Sequence, residues 1–476
     1  MRLALAVALC LASGDLIVRV AWPRLAKGTD RLLKWSLAVG FGLGFSSATF
    51  FVARALNLEH FLAIDVLCFA LLLGWYSFLG RNRKAIDFPQ APNHSLELPS
   101  WLHRFLIVTA AVTLAVAIYS SIKLAIAHPH GDGWDAYSIW NLHARFLFRG
   151  GGYWRDGLSP LIPWSHPDYP LLLPASIAHF WTYLGHENQI VPSVIGLAFA
   201  FSTLGLLYAS LAQLRGHNVA MLGFITLAST PLFIEQAASQ YADVPLSFFF
   251  LASMTLVSLY DQVSRDGAAR GFLVLSGLAI GFAAWTKNEG ALFLFATVAA
   301  FLIVSTHGKR QKSPSNKSET PAWPVVAMLL LSAVPVFGLV LWLKLLAPRG
   351  DLFSAPQIML EKMLTPARYW AIVKWYAKEF LRFGKWWPIP ATVLLLVVYF
   401  IAASGKTEPK TTSLRIAVWT LTLTLAGYFA IYVITPNELY WHLRFSLNRL
   451  FLQLWPSVIF LFFSSVSFRS FNNVSK

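Results

Sequence analysis

Residues 131–147 read GDGWDAYSIWNLHARFL and place two carboxylates, Asp132 and Asp135, just ahead of a helix-forming stretch. A carboxylate so placed can take a proton from a hydroxyl nucleophile. Capping of the helix is the plainer use of the same two residues. Trp134 and Tyr137 stand beside them with ring faces for a substrate, and Arg145 offers a guanidinium. Further on come His166, Asp168 and Tyr169. His166 and Asp168 could move a proton together or hold a loop by a hydrogen bond.

Three more groups carry charge at the edges of apolar runs. Asp243 opens a helix, where free N–H groups favour a carboxylate; it could also serve as a second acid toward acceptor, sugar or metal. Lys287 and Glu289 sit in a four-residue break between apolar runs, where ionisable groups are usually paired or functional. In a functional reading Lys287 holds a phosphate oxygen. His442, Arg444 and Arg449 stand close together after Tyr440, and arginine binds phosphate through several donors. Interfacial anchoring is the alternative for this group. No histidine–carboxylate cluster has metal-ligand spacing and no phosphate-binding glycine loop occurs, so no cofactor is expected, with a divalent metal left open.

What must position these groups is a membrane bundle. The chain of 476 residues is 57% hydrophobic and only 13% charged. That is too little charge to solvate a globule of this size, where about a quarter would be usual. Its apolar residues gather into runs of about 16–24, the length that crosses a bilayer as helix. About thirteen spans are expected, near 2–21, 35–53, 61–80, 104–127, 189–212, 218–234, 243–260, 271–286, 289–305, 323–346, 386–403, 414–434 and 450–467. The runs 271–286 and 289–305 could instead form a re-entrant pair. The fold class is an all-α integral membrane protein with interfacial helices in a long outer loop.

Four basic clusters fall on one side of this arrangement: Arg24 to Lys34, Arg81 to Lys84, Lys309 to Lys317 and Lys406 to Arg415. The positive-inside bias makes that side the cytoplasm of a plasma (inner) membrane, with the N-terminus outside and the C-terminus inside. The net charge of +16 fits this bias and attraction to anionic lipid better than nucleic-acid binding, for which no basic soluble domain exists. Cys10 and Cys68, both in apolar runs, give no disulfide framework. The first run is read as a retained span.

The organisation expected is a three-span extension over 1–103, a core over 104–305 with an outer loop 128–188, a cytoplasmic linker 306–322 and a C-terminal region 323–476. Outer loops 347–385 and 435–449 belong to that last region. In the first of them Arg368, Lys374, Lys378, Arg382 and Lys385 interleave with Tyr369, Trp370, Trp375 and Tyr376, as for contact with anionic lipid or as an entrance for a lipid phosphate. In the loop 128–188 a helix from Ala136 should lie in the interface, with Trp140 at headgroup depth, and Leu171–Leu184 should form a second interfacial helix.

With these landmarks in order, the chain resembles the GT-C superfamily of polytopic glycosyltransferases, near the bacterial protein O-mannosyltransferases and lipid A aminoarabinose transferases. The carrying residues are Asp132 and Asp135 after a first core span, His166-Pro167-Asp168-Tyr169-Pro170-Leu171, Gln240-Tyr241-Ala242-Asp243-Val244-Pro245-Leu246 and Trp285-Thr286-Lys287-Asn288-Glu289-Gly290. The sequence departs from the family's Asp-Glu pair, having Asp135-Ala136. The resemblance implies a sugar moved from a polyprenyl-phosphate donor to a glycan, lipid or protein acceptor on the outer face. It implies Asp135 or Asp132 as base, Asp243 as second acid and Lys287 at the phosphate, to which His442, Arg444 and Arg449 are added from their own charge and clustering. It further implies Trp134, Tyr137, Arg145, His166, Asp168, Tyr169 and Glu289 around the substrates. The alternative is a transporter or flippase of lipid-linked sugars. A transporter should line a path through the bilayer with charge; here the candidates gather on one side, which favours the enzyme.

Overall fold

The computed structural model describes residues 1–25, 31–80, 85–86, 96, 98–263, 269–310, 322–350, 352, 356–386, 397 and 411–466. Their order is α1 (Arg2–Ala21), α2 (Arg31–Ala55), α3 (Phe61–Gly80), α4 (Ser100–Ala127), α5 (Asn141–Arg149), α6 (Leu172–Leu184), α7 (Ile190–Arg215), α8 (His217–Ala228), α9 (Pro231–Ala238), α10 (Asp243–Val263), α11 (Arg270–Thr286), α12 (Asn288–Arg310), α13 (Ala322–Leu346), α14 (Pro356–Met363), α15 (Pro366–Arg382), α16 (Thr412–Ile434) and α17 (Leu439–Ser465). Two-residue strands at Arg24–Leu25 and Ala85–Ile86 pair in parallel. The protein is an all-α polytopic membrane protein.

Ten of these helices are long and apolar enough to cross a membrane. The expected thirteen spans need correction in detail. The run 218–234 is a pair, α8 and α9, bent by 64° after Ser229-Thr230. Pro231 at the start of α9 has no N–H to continue the helical ladder, which breaks there. The run 271–286 is α11, whose 17 residues reach about 25 Å, short of a ~30 Å hydrocarbon core. The last helix begins at Leu439, so most of the expected outer loop 435–449 is its first three turns. Apart from Trp386 and Val397, the expected span 386–403 lies outside the described residues, as does most of the linker 306–322.

The bundle is organised around α10, the most deeply buried span, which packs on α7, α11 and α17. Its Phe248, Phe249 and Phe250 are fully buried. Phe249 meets Phe199, Phe41 and Phe282 from three neighbouring helices. By contrast α3 and α4 are peripheral and present apolar side chains outward, as lipid-facing helices do. Helices α1 and α2 cross at backbone contact. A Cβ on Gly14 would stand 2.0 Å from the Ala38 carbonyl oxygen, and one on Gly42 2.3 Å from that of Cys10. Both helices share the one large core with α6, α7 and α10.

Of the two helices expected at the interface, α6 is enclosed by protein and α5 is half-buried. Ala136–Trp140 is a π-helical turn leading into α5, and Trp140 is fully buried against Tyr169 rather than sitting among headgroups. Nearly every side chain of α6 is buried, because α1, α2, α5 and α7 enclose it. Apolar periodicity reports a face to be buried but not whether lipid or protein buries it. Helices α14 and α15 remain on the surface. They are fastened to the end of α16, whose last carbonyls lack helical partners. Arg368 donates to the carbonyls of Val433 and Tyr432 at 3.0 Å, and Lys362 to that of Thr435 at 2.6 Å.

Candidate active site

Gly131 and Gly133 both have positive φ, and a Cβ on either would collide with Ala136 or the Tyr241 hydroxyl. Only glycine lets this loop lie against the segment before α10. Gln240, itself at φ 62, holds the two together. Its Oε1 accepts from Asn141 Nδ2 at 2.7 Å, and its Nε2 donates to the Pro129 carbonyl at 3.0 Å and to Ser193 Oγ at 2.9 Å. This staple brings Asp135 next to the start of α10, where Asp243 lies.

Asp243 is fully buried. Its Oδ1 accepts from Lys287 Nζ at 3.0 Å and from Gln453 Nε2 at 2.6 Å. Its Oδ2 accepts from Arg449 Nε and Nη2, both at 2.9 Å. Arg449 Nη1 then donates to Asp135 Oδ2 at 2.5 Å, while its guanidinium lies 4.4 Å from the centre of the Tyr241 ring. Lys287 also pairs with Glu289 at 2.9 Å, and Gln453 reaches Glu289 at 3.3 Å. Three carboxylates thus face two cations, one negative charge in excess, and each buried charge has an opposite one in contact, the condition under which such groups are tolerated. Burial, with the charge of Asp135 beside it, pushes the Tyr241 hydroxyl up to about 12, so it remains a neutral donor.

A second cluster lies alongside. Asp168 Oδ2 accepts from Lys344 Nζ at 3.0 Å and from Asn288 Nδ2 at 3.1 Å. Lys344 also donates to the Asp168 carbonyl at 2.6 Å and to Asn288 Oδ1 at 2.9 Å. Since Asn288 separates Lys287 from Glu289, the two clusters touch through one tripeptide.

Residues 165–342 match the dolichyl-phosphate-mannose-protein mannosyltransferase family. This is a GT-C superfamily domain, and it supports a membrane glycosyltransferase that uses a polyprenyl-phosphate-linked sugar. No curated protein and no solved structure matches the chain. Within the matched segment lie Asp168, Asp243, Lys287 and Glu289; Asp135, Arg449 and Gln453 reach it from outside, from the preceding loop and from α17.

The candidates named from sequence divide into those the fold gathers and those it does not. Asp135, Asp243, Lys287, Glu289 and Arg449 form the network. Asp132 does not join it: it is exposed and lines a separate small pocket with His128, Glu235 and Ser239. Trp134 and Tyr137 are exposed near Asp135. Arg145 stacks on Tyr137 at 5.0 Å and shares Glu187 with Arg149, so its charge is used locally. Asp168 is held by Lys344 and not by His166, whose ring stacks on Tyr169 at 4.6 Å. Tyr169 is half-buried, and its hydroxyl is held well above the ordinary range by desolvation and by Glu289 and Asp168 nearby. His442 meets Thr435 Oγ1 at 2.9 Å. Arg444 is exposed beside Phe445, outside the network. Lys287 and Arg449, expected to hold a phosphate, direct their donors at carboxylates in this structure.

Gln453, Lys344 and Tyr428, which donates to Gln453 Oε1 at 2.6 Å, join these clusters without having been singled out in the sequence, and Gln240 and Asn288 stood there only as members of longer motifs. Lys344 carried a signal, as a lone cation in the last turn of an apolar span. Gln453 carried a fainter one, a single amide inside a run of aromatic and apolar residues. Among the described residues no group of three or more His, Cys, Asp or Glu side chains is arranged to hold a metal ion.

Proposed function

We propose that this protein transfers a sugar from a polyprenyl phosphate to an acceptor hydroxyl on the outer face of the membrane, with Asp135 as general base. The observation that carries this is the difference between its two acids. Asp243 is sealed and fully hydrogen-bonded inside the protein, whereas the Asp135 side chain keeps 27% of its surface exposed. Its Oδ1 has no hydrogen-bond partner among the described residues. Asp243 therefore acts through Arg449 as a positioning residue rather than touching substrate.

In this reading the acceptor oxygen bonds to the anomeric carbon as the bond from that carbon to the phosphate oxygen breaks. The electron pair leaves on the polyprenyl phosphate, and the hydroxyl proton passes to Asp135 Oδ1. A single displacement inverts the anomeric centre. In this reading the exposed Arg444, about 7.5 Å along the same helix from Arg449, meets the leaving phosphate. Trp134 and Tyr137 offer exposed ring faces to the sugar or acceptor.

The test is transfer of label from a panel of polyprenyl-phosphate sugars to envelope glycans and lipids by the purified protein in lipid. Transfer from one donor is expected. Labelled lipid that is carried between leaflets with no transfer would overturn the enzyme reading in favour of a transporter.

A further inference from the structure

Gln453 lies about four helical turns into α17 and is fully buried. A primary amide can be turned either way, and here its neighbours choose. Tyr428 on α16 donates its hydroxyl hydrogen to Gln453 Oε1 at 2.6 Å. That leaves Nε2 facing the acids, with its two hydrogens directed to Asp243 Oδ1 at 2.6 Å and Glu289 Oε1 at 3.3 Å. Asp243 is thereby held on one oxygen by Gln453 and Lys287 and on the other by Arg449. The carboxylate that anchors the Arg449 guanidinium, and through it Asp135, is thus held on both oxygens.

We infer that Gln453, with its amide orientation set by Tyr428, is a positioning residue for sugar transfer: it fixes Asp243, and through Arg449 the side chain of Asp135. This rests on the transfer reading above. A neutral donor suits the position. It adds a hydrogen bond to each acid without a third cation, and a carboxylate there would put a like charge against both. Being buried, Gln453 does not touch substrate, so its loss should act on kcat and leave KM nearly unchanged. Misplacing a reacting group by about 1 Å can cost roughly 100-fold in rate.

The experiment measures kcat and KM between pH 5 and 8 for wild type, Gln453→Leu, Gln453→Glu and Tyr428→Phe in lipid. Gln453→Leu should lower kcat on the order of 100-fold with KM retained. Gln453→Glu should be slow at neutral pH and recover toward acid pH relative to wild type, because the introduced carboxyl donates to Asp243 only when protonated. Tyr428→Phe should slow the wild type and add little in the Gln453→Leu background, since the two act as one unit. Where Gln453→Leu does not fold, the acid recovery of monodisperse Gln453→Glu carries the test. Wild-type kcat in Gln453→Leu, or a uniformly slow Gln453→Glu with no acid recovery, would overturn the inference and leave the transfer reading standing. A wild type that transfers from no donor overturns both.

Discussion

Arg449 on the last helix donates to Asp135 at 2.5 Å across 314 residues of chain. The carboxylate that faces outward is therefore oriented by a residue from the far end of the sequence. Asp135→Asn keeps the shape and removes the base, and a positioned base contributes roughly 10²–10⁴-fold. Transfer by the folded variant should fall by that order. Asp132→Asn, on an exposed side chain outside the network, should stay within about twofold of wild type. Initial rates of label transfer separate the two, and equal losses would contradict the assignment to Asp135.

Removing Arg449 leaves Asp243 buried with only Lys287 and Gln453 against it. Breaking a buried ion pair from one side costs on the order of 3–5 kcal/mol. Arg449→Ala should lower the thermal unfolding midpoint in detergent and abolish transfer. Arg449→Lys restores the charge but cannot span both acids with one planar fork. It should recover stability more than activity.

Lys287 joins Asp243 to Glu289. Lys287→Met strands Glu289 beside an acid with nothing but the long contact to Gln453. The double variant Lys287→Met/Glu289→Gln removes one charge of each sign. It should therefore be more stable than Lys287→Met alone, by a coupling of roughly 0.5–3 kcal/mol. Unfolding midpoints of the two single variants and the double variant measure it; strict additivity would mean the contact contributes nothing.

His143 in α5 is buried with both ring nitrogens unpartnered. Burial lowers its pKa to about 4, with the nearby His166 adding to the effect. An unfolded histidine titrates near 6.5. Between those values the unfolded chain binds the additional proton, so stability rises with pH across this window. The contribution is complete above about pH 6.5 and is lost as pH falls through about 4. Unfolding midpoints measured from pH 4 to 7 should drop on the acid side. The drop should be smaller in His143→Leu if that residue is its source.

The sequence by itself determined the membrane class, most of the spans and which residue types could do chemistry. Length and apolar runs decide these, since a bilayer demands about 20 apolar residues per crossing wherever they occur in the chain. It also marked Asp135, Asp243, Lys287, Glu289 and Arg449, because charge at the edge of an apolar run is costly without a purpose. Only the tertiary structure decided what those charges do. Asp132 and Asp135 look alike three residues apart, yet the π-helical turn and two glycines turn one into the network and the other away from it. Lys287 and Arg449 looked suited to phosphate, but packing of α10, α12 and α17 spends them on carboxylates. Gln453 and Tyr428 are ordinary helix residues until α16 and α17 meet α10. Periodicity is a local property, whereas the partner of a charge depends on contacts between distant segments, which the packing of the whole bundle sets.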